Sequence, residues 1–138
     1  MMTDDLNDPS ETTTKISGLS VVETVEKFLD ILRTKGLKVF TVIDQRAEAR
    51  LVGLDLRETT LVIFGNPVAG TPVMESVPLS ALDLPLKVLI WADGGPTKVS
   101  YVATDHLVTR LHLAPALREN LAGIDALTDA LVADAPST

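Results

Sequence analysis

The residues with the strongest claim to chemistry sit in one short stretch, Gly65-Asn66-Pro67 followed by Gly70-Thr71-Pro72. Thr71 before Pro72 is the pairing that opens a helix, as N-cap and first helical residue. A helix N-terminus presents unpaired backbone N–H groups and the positive end of its dipole, which suits an anion. Arg57, before the preceding strand signal, and Lys87, on the following one, supply countercharge. The pattern points to Asn66, Gly70, Thr71 and the amides of residues 71–74 holding a carboxylate or phosphate. The competing reading is structural: the glycines permit a turn, Thr71 caps its own helix, Asn66 bonds locally, and Arg57 pairs with Asp83 or Asp44.

Other chemistry-bearing residues are scattered. His106 and His112 are six apart, where a shared helical face needs four, and no Glu stands in a zinc-binding frame with them. No metal site and no cofactor is expected. His112 is a candidate acid or base, or a residue that caps a helix end. Ser100, Thr71, His112 and Asp44 are ingredients for nucleophilic catalysis, but no G-x-S-x-G motif frames them, so no catalytic residue is assigned and enzymatic activity stays open. Trp91 and Tyr101 fall on paired strand signals, where they line a pocket or pack across strands. The chain has no Cys, which removes disulfides and thiolate chemistry.

The elements that must position these groups are legible from periodicity. Thr12 to Leu19 is β-branched and reads as a first strand. From Ser20, with Glu23 completing a capping box, Val21, Val25, Phe28, Leu29 and Leu32 form one helical stripe that stops at Gly36. Leu37 to Asp44 alternates as a strand with apolar residues in both sets, and Gln45 to Val52 is a short helix ended by Gly53. Thr59 to Phe64 is a strand, and a helix is expected from Thr71. Leu84 to Trp91 and Lys98 to Ala103 flank Asp93-Gly94-Gly95-Pro96 as a hairpin. A helix follows Asp105, breaks near Pro115 and resumes through Leu117, Leu121, Ile124, Leu127 and Leu131. The order is β-α-β-α-β-α-β-β-α-α, without repeats or an internal linker.

Composition bounds the rest. The 138 residues, 46% hydrophobic and only 4% aromatic, suit one domain over residues 12–134 with an aliphatic core. Nineteen acidic against twelve basic residues give a net charge of −7, which argues against nucleic acid as a partner. Part of that acidity belongs to residues 1–11, expected to be a flexible tail, and residues 135–138 are expected to fray. No run approaches the ~20 apolar residues that span a bilayer, so no membrane is expected and the cytoplasm is the default compartment.

The stretch LRETTLVIFGNPVAGTPVM, Leu56 to Met74, followed by LDLPLKVLIW, Leu82 to Trp91, resembles the bacterial and archaeal family called domain of unknown function 302. The Thr24 to Gly36 segment, the VFTVID of Val39 to Asp44 with Ala47 and Ala49, Tyr101, Arg110 and His112 are similar to it too. The resemblance implies an α+β two-layer sandwich, a small mainly antiparallel sheet with helices packed on it, as a homodimer and with no established activity. Many members carry a His directly after the Asp of the VID segment. Here Gln45 stands there, so no imidazole role carries over.

Three functions follow as expectations. The first is a domain binding a small polar or anionic molecule between the 65–72 loop and the Trp91/Tyr101 hairpin, through Arg57, Asn66, Gly70, Thr71, Lys87, Trp91, Tyr101 and His112. The second is a homodimeric interaction module without ligand. The third is a small hydrolase or isomerase using His112 with Asp44 or Asp83.

Overall fold

A helix whose apolar residues recur at three and four must bury one stripe, and a strand whose apolar residues alternate must bury one face. The computed structural model, which describes residues 11–133, satisfies both demands with a single sheet. The elements are β1 (Thr12–Ser17), α1 (Val21–Thr34), β2 (Lys38–Asp44), α2 (Gln45–Leu51), β3 (Thr59–Gly65), α3 (Pro67–Ser76), β4 (Leu86–Trp91), β5 (Thr97–Val102), α4 (Thr104–Leu111) and α5 (Glu119–Val132). Their order is the expected one, and the fold is α+β. Short 3₁₀ turns occupy Pro78–Leu82 and Pro115–Leu117. The expected tail over residues 1–11, Glu11 excepted, and the expected frayed end at 135–138 lie outside the described residues.

The five strands pair in the order β1-β5-β4-β3-β2, and each pairing is antiparallel. α1 therefore carries the chain from one edge of the sheet to the other. Its N-terminus is closed by the Ser20/Glu23 capping box. At its other end Gly36 adopts φ +71°, and the Leu37 N–H reaches the Leu32 carbonyl at 2.9 Å, a Schellman closure that needs glycine's left-handed freedom. Val21, Thr24, Phe28 and Leu32 form the buried stripe.

That stripe and the Ile124, Leu127 and Leu131 stripe of α5 cover one face of the sheet, made of Val62, Phe64, Val88, Ile90, Val99 and Tyr101. Phe28 and Phe64 meet edge to face, their ring centres 5.3 Å apart. A second cluster of Val73, Leu107, Leu111, Leu113 and Leu121 packs α3 and α4 against the start of α5.

The alternate residues point the other way. Ile16, Ile43, Leu61, Ile63, Leu89, Trp91 and Val102 form an outward face, and none of them joins either buried cluster. Ile16 and Val102 are 46% and 47% exposed. α2 buries none of its residues fully and packs beside β3. Apolar residues in both alternating sets of β2 suggest cover on both faces, but the strand lies at the edge of the sheet and is exposed or half-buried along its whole length.

One helix boundary corrects the sequence reading. α3 begins at Pro67 and not at Thr71, because Asn66-Pro67 obeys the same cap-then-proline rule five residues earlier. The Asn66 side-chain oxygen accepts from the Val68 N–H at 3.0 Å. Pro72 thus lies inside the helix, with its ring exposed and the neighbouring Val73 fully buried to anchor the turn.

Candidate functional site

The shift of the α3 start changes what the 65–71 segment can do. Pro67 has no N–H, the Val68 N–H goes to Asn66 Oδ1, and the Ala69 and Gly70 N–H groups both reach the Asn66 carbonyl at 2.9 Å. The amides that would face an anion are occupied by Asn66 itself. Around this turn lie two adjoining hollows. One, of about 230 Å³, is lined by Phe40, Asn66, Gly70, Thr71, Met74 and Pro85 among others. The other, of about 220 Å³, includes Phe64, Asn66, Gly70, Leu86, Asn120 and Ile124. Asn66, Gly70 and Leu84 belong to both, so the turn is the wall between them. Asn120 ties that wall to α5 by donating from Nδ2 to the Ala69 carbonyl at 2.9 Å. The linings are chiefly apolar, and no cation reaches either hollow.

The remaining sequence-derived candidates are dispersed. Arg57 pairs with Asp93 of the hairpin turn at 3.2 Å, not with Asp83 or Asp44. Asp83 is engaged by Arg110 at 3.0 Å, and Asp44 caps α2 by accepting from the Ala47 N–H at 2.9 Å. Lys87 is exposed and donates to the Pro85 carbonyl at 3.3 Å. Trp91 and Tyr101 lie on opposite faces of the sheet, because the β4–β5 register sets Trp91 across from Lys98 and Leu89 across from Ser100. Trp91 donates to Ser100 Oγ at 3.0 Å with Lys98 stacked 4.7 Å from its ring centre, whereas Tyr101 is buried in the core. His112 is the exposed left-handed residue closing α4, with φ 53°, and pairs with no described carboxylate. Gln45 is the first residue of α2. Among the described residues no three His, Asp or Glu gather as a metal site.

One constellation escaped the reading of the sequence. Lys15 on the inward side of β1 donates to Thr128 Oγ1 at 2.7 Å, to the Asp125 carbonyl at 3.0 Å and to the Asp129 carboxylate at 2.7 Å. Tyr101 donates to Asp125 Oδ1, and Lys15 Nζ lies 5.4 Å from the Tyr101 ring centre. Burial alone would lower the Lys15 pKa, but the hydrogen bonds and charges of Asp129 and Tyr101 outweigh it and raise the value above 10.5. Burial, then the bond to Asp125, pushes the Tyr101 hydroxyl up against the opposing pull of Thr128 and Lys15. Both groups thus hold their protons firmly. Because three acceptors occupy all three ammonium protons, the cluster fastens β1 to α5 and leaves no donor for a substrate. Its signal was present: a lone cation at an inward strand position, and Asp125, Thr128 and Asp129 at helical spacing beside the apolar stripe of α5.

Residues 12–133 match the family model described as Domain of unknown function DUF302. The crystal structure of an uncharacterized conserved DUF302 protein from Bacillus stearothermophilus superposes with a TM-score of 0.75 at 24% identity, covering 88% of this chain and 95% of that one, and so shares the fold. Among curated proteins, Fluoride-specific ion channel FluC 1 of Brucella suis and of Brucella abortus are each 44% identical over 75 residues, 54% of this chain. The match spans under a third of their length, 30% and 28% respectively. Among the described residues no helix is long and apolar enough to cross a membrane. With the strand order, the element order and the match from β1 through α5 in agreement, the chain belongs to the DUF302 family, a domain whose activity is not established.

Proposed function

We propose that this domain is an interaction module that pairs face to face with a second copy through the outward side of its sheet. The observation that carries the reading is that face itself. Leu61, Ile63, Leu89 and Trp91 form an apolar centre on β3 and β4, with Ile16 and Val102 on β1 and β5, and none of them joins either buried cluster. Isolated exposed apolar residues are ordinary, but a contiguous patch marks a contact surface. Five strands about 4.8 Å apart and about six residues long at ~3.4 Å each make a face of roughly 500 Å². Two such faces bury about 1,000 Å², the lower bound for a specific pair. Trp91 is suited to the centre of such a contact, because its indole N–H is already satisfied by Ser100.

The ion pairs of Arg57, Asp83 and Arg110 support the same reading, since polar groups paired with one another recruit no ligand. So does the match to proteins named as fluoride channels, in which the similar segment is a minor part of a longer chain. Sedimentation or light scattering tests the idea. The protein is expected to run as a dimer at micromolar concentration, and Leu89→Lys or Ile63→Glu to run as a folded monomer. A monomeric parent, or a Leu89→Lys dimer, defeats the proposal.

A second reading rests on the paired hollows around Asn66, Gly70 and Thr71, which suit a small apolar molecule better than an anion, because their lining carries no cation. Leu84→Trp fills both. If short-chain alcohols shift the amide resonances of Gly70 and Thr71 in the parent protein but not in this variant, the hollows are a binding site; equal shifts in both place the alcohol elsewhere.

A further inference from the structure

A third hollow, of about 280 Å³, opens at the opposite end of the sheet, beside the crossing of α1 over β2 and β3. Its apolar wall comes from Val21, Val22, Val25 and Val42, and Val22 and Val42 remain 61% and 39% exposed. Around this wall stand Glu26, Arg46 and Glu58. The three charges are of both signs and line one hollow, yet they form no ion pair with each other or with any other described residue. Glu58 and Arg46 are half-buried, so each loses part of its hydration without a partner to replace it. The fourth charged residue of the lining, Asp44, is occupied in capping α2.

Ion pairs form elsewhere, Lys15 with Asp129, Arg57 with Asp93, Arg110 with Asp83, and Arg118 with Asp105, while the charges of this hollow stand beside an apolar wall. Opposite charges held apart around an apolar wall match a molecule that carries both charges itself. We infer that this groove binds a small zwitterion with an aliphatic side chain, of the α-amino-acid class. Its ammonium sits between Glu26 and Glu58, its carboxylate meets Arg46, and its side chain rests on the valines. The volume lies at the small end of ligand pockets, about 300 Å³, which limits the side chain to a few carbons. A guanidinium receives a carboxylate through two parallel hydrogen bonds, so Arg46 is the specificity-determining residue.

The test titrates the protein with L-leucine and with its two halves, 3-methylbutylamine and 4-methylpentanoate, following the methyl resonances of Val21, Val25 and Val42. Leucine is expected to shift all three and to bind at least about tenfold more tightly than either half, each lost charge contact being worth that factor or more. Arg46→Gln is expected to bring leucine down to the affinity of the amine while leaving the amine unchanged, and the Glu26→Gln, Glu58→Gln double variant to bring it down to that of the acid. All three positions are on the surface or half-buried, and a thermal melt of each variant checks that it folds. Absence of methyl shifts, halves that bind as well as leucine, or an Arg46→Gln protein that binds leucine undiminished would each overturn the inference.

Discussion

The two faces of the sheet are built from the same strands and nearly the same residue types, yet helices pack on the inward one and leave hollows only at its ends. On that side even the polar groups are closed off: Ser17 bonds to Thr24 at 2.8 Å, Tyr101 to Asp125, and Lys15 to three acceptors on α5. On the outward side Thr14, Ser100 and Trp91 form a small hydrogen-bonded group, Leu61 faces Leu89, and Ile63, Ile16 and Val102 stand opposite Lys87, Lys98 and Thr12, outside both buried clusters. The difference teaches where function can lie. Where a face pairs its polar groups within the fold it works as a folding device, and where apolar area stays uncovered, on the outward side or in the hollows at the ends of the inward one, it is available to a partner or a ligand.

The sharpest way to break this comparison is a pair of truncations read by urea unfolding at a concentration below self-association. Phe64→Ala, at a fully buried position against Phe28, should lower stability by about 3–5 kcal/mol, whereas Leu89→Ala on the outward face should cost under about 1 kcal/mol. Equal losses would mean that something covers the outward face. Next in size, Lys15→Met should cost roughly 1–3 kcal/mol, since it strips Asp125, Thr128 and Asp129 of their shared donor, and Tyr101→Phe about 1 kcal/mol.

The same cluster sets an alkaline limit. Lys15 and Tyr101 are both raised in the folded protein above their ordinary values of 10.5 and 10.0. A raised value adds stability that is fully present below the unfolded pKa and is lost as pH rises through the folded one. Melting temperature should therefore fall more steeply above pH 10 in the parent than in a Lys15→Met, Tyr101→Phe double variant; parallel curves would remove the cluster's titration from the account. The smallest effect belongs to Asn66. Asn66→Ala should cost about 1 kcal/mol by uncapping α3, and Asn66→Asp only a few tenths, as a melting series can show. A neutral Asn66→Ala would mean that the Val68 N–H does not depend on the Asn66 side chain.

Much of the architecture could be read along the chain. Strand and helix periodicities, the Ser20/Glu23 box, the Gly36 stop and the Asp93-Gly94-Gly95-Pro96 turn each depend on residues a few positions apart, and local physics decides such features. The start of α3 misled because two cap-and-proline pairs, Asn66-Pro67 and Thr71-Pro72, both obey the rule, and only packing of Val73 and the donor from Asn120 to Ala69 show which one is used. Of the candidate site residues, Asn66, Gly70 and Thr71 do meet at one wall. Arg57, Lys87, Trp91 and Tyr101 belong to neighbouring strand signals, but residues along a strand alternate between faces, and the β4–β5 register divides Trp91 from Tyr101; His112, singled out by the family resemblance, closes α4.

Taken alone, the sequence determined which segments are helices and strands, their order, the aliphatic character of the core and the family pattern, because each rests on short-range geometry or on composition. Only the tertiary structure decided which carboxylate each Arg meets, which side of the sheet stays bare, and where charges are left unpaired around a hollow. Those outcomes depend on pairing register and on where α1 crosses the sheet, and both arise from contacts between residues far apart in the chain.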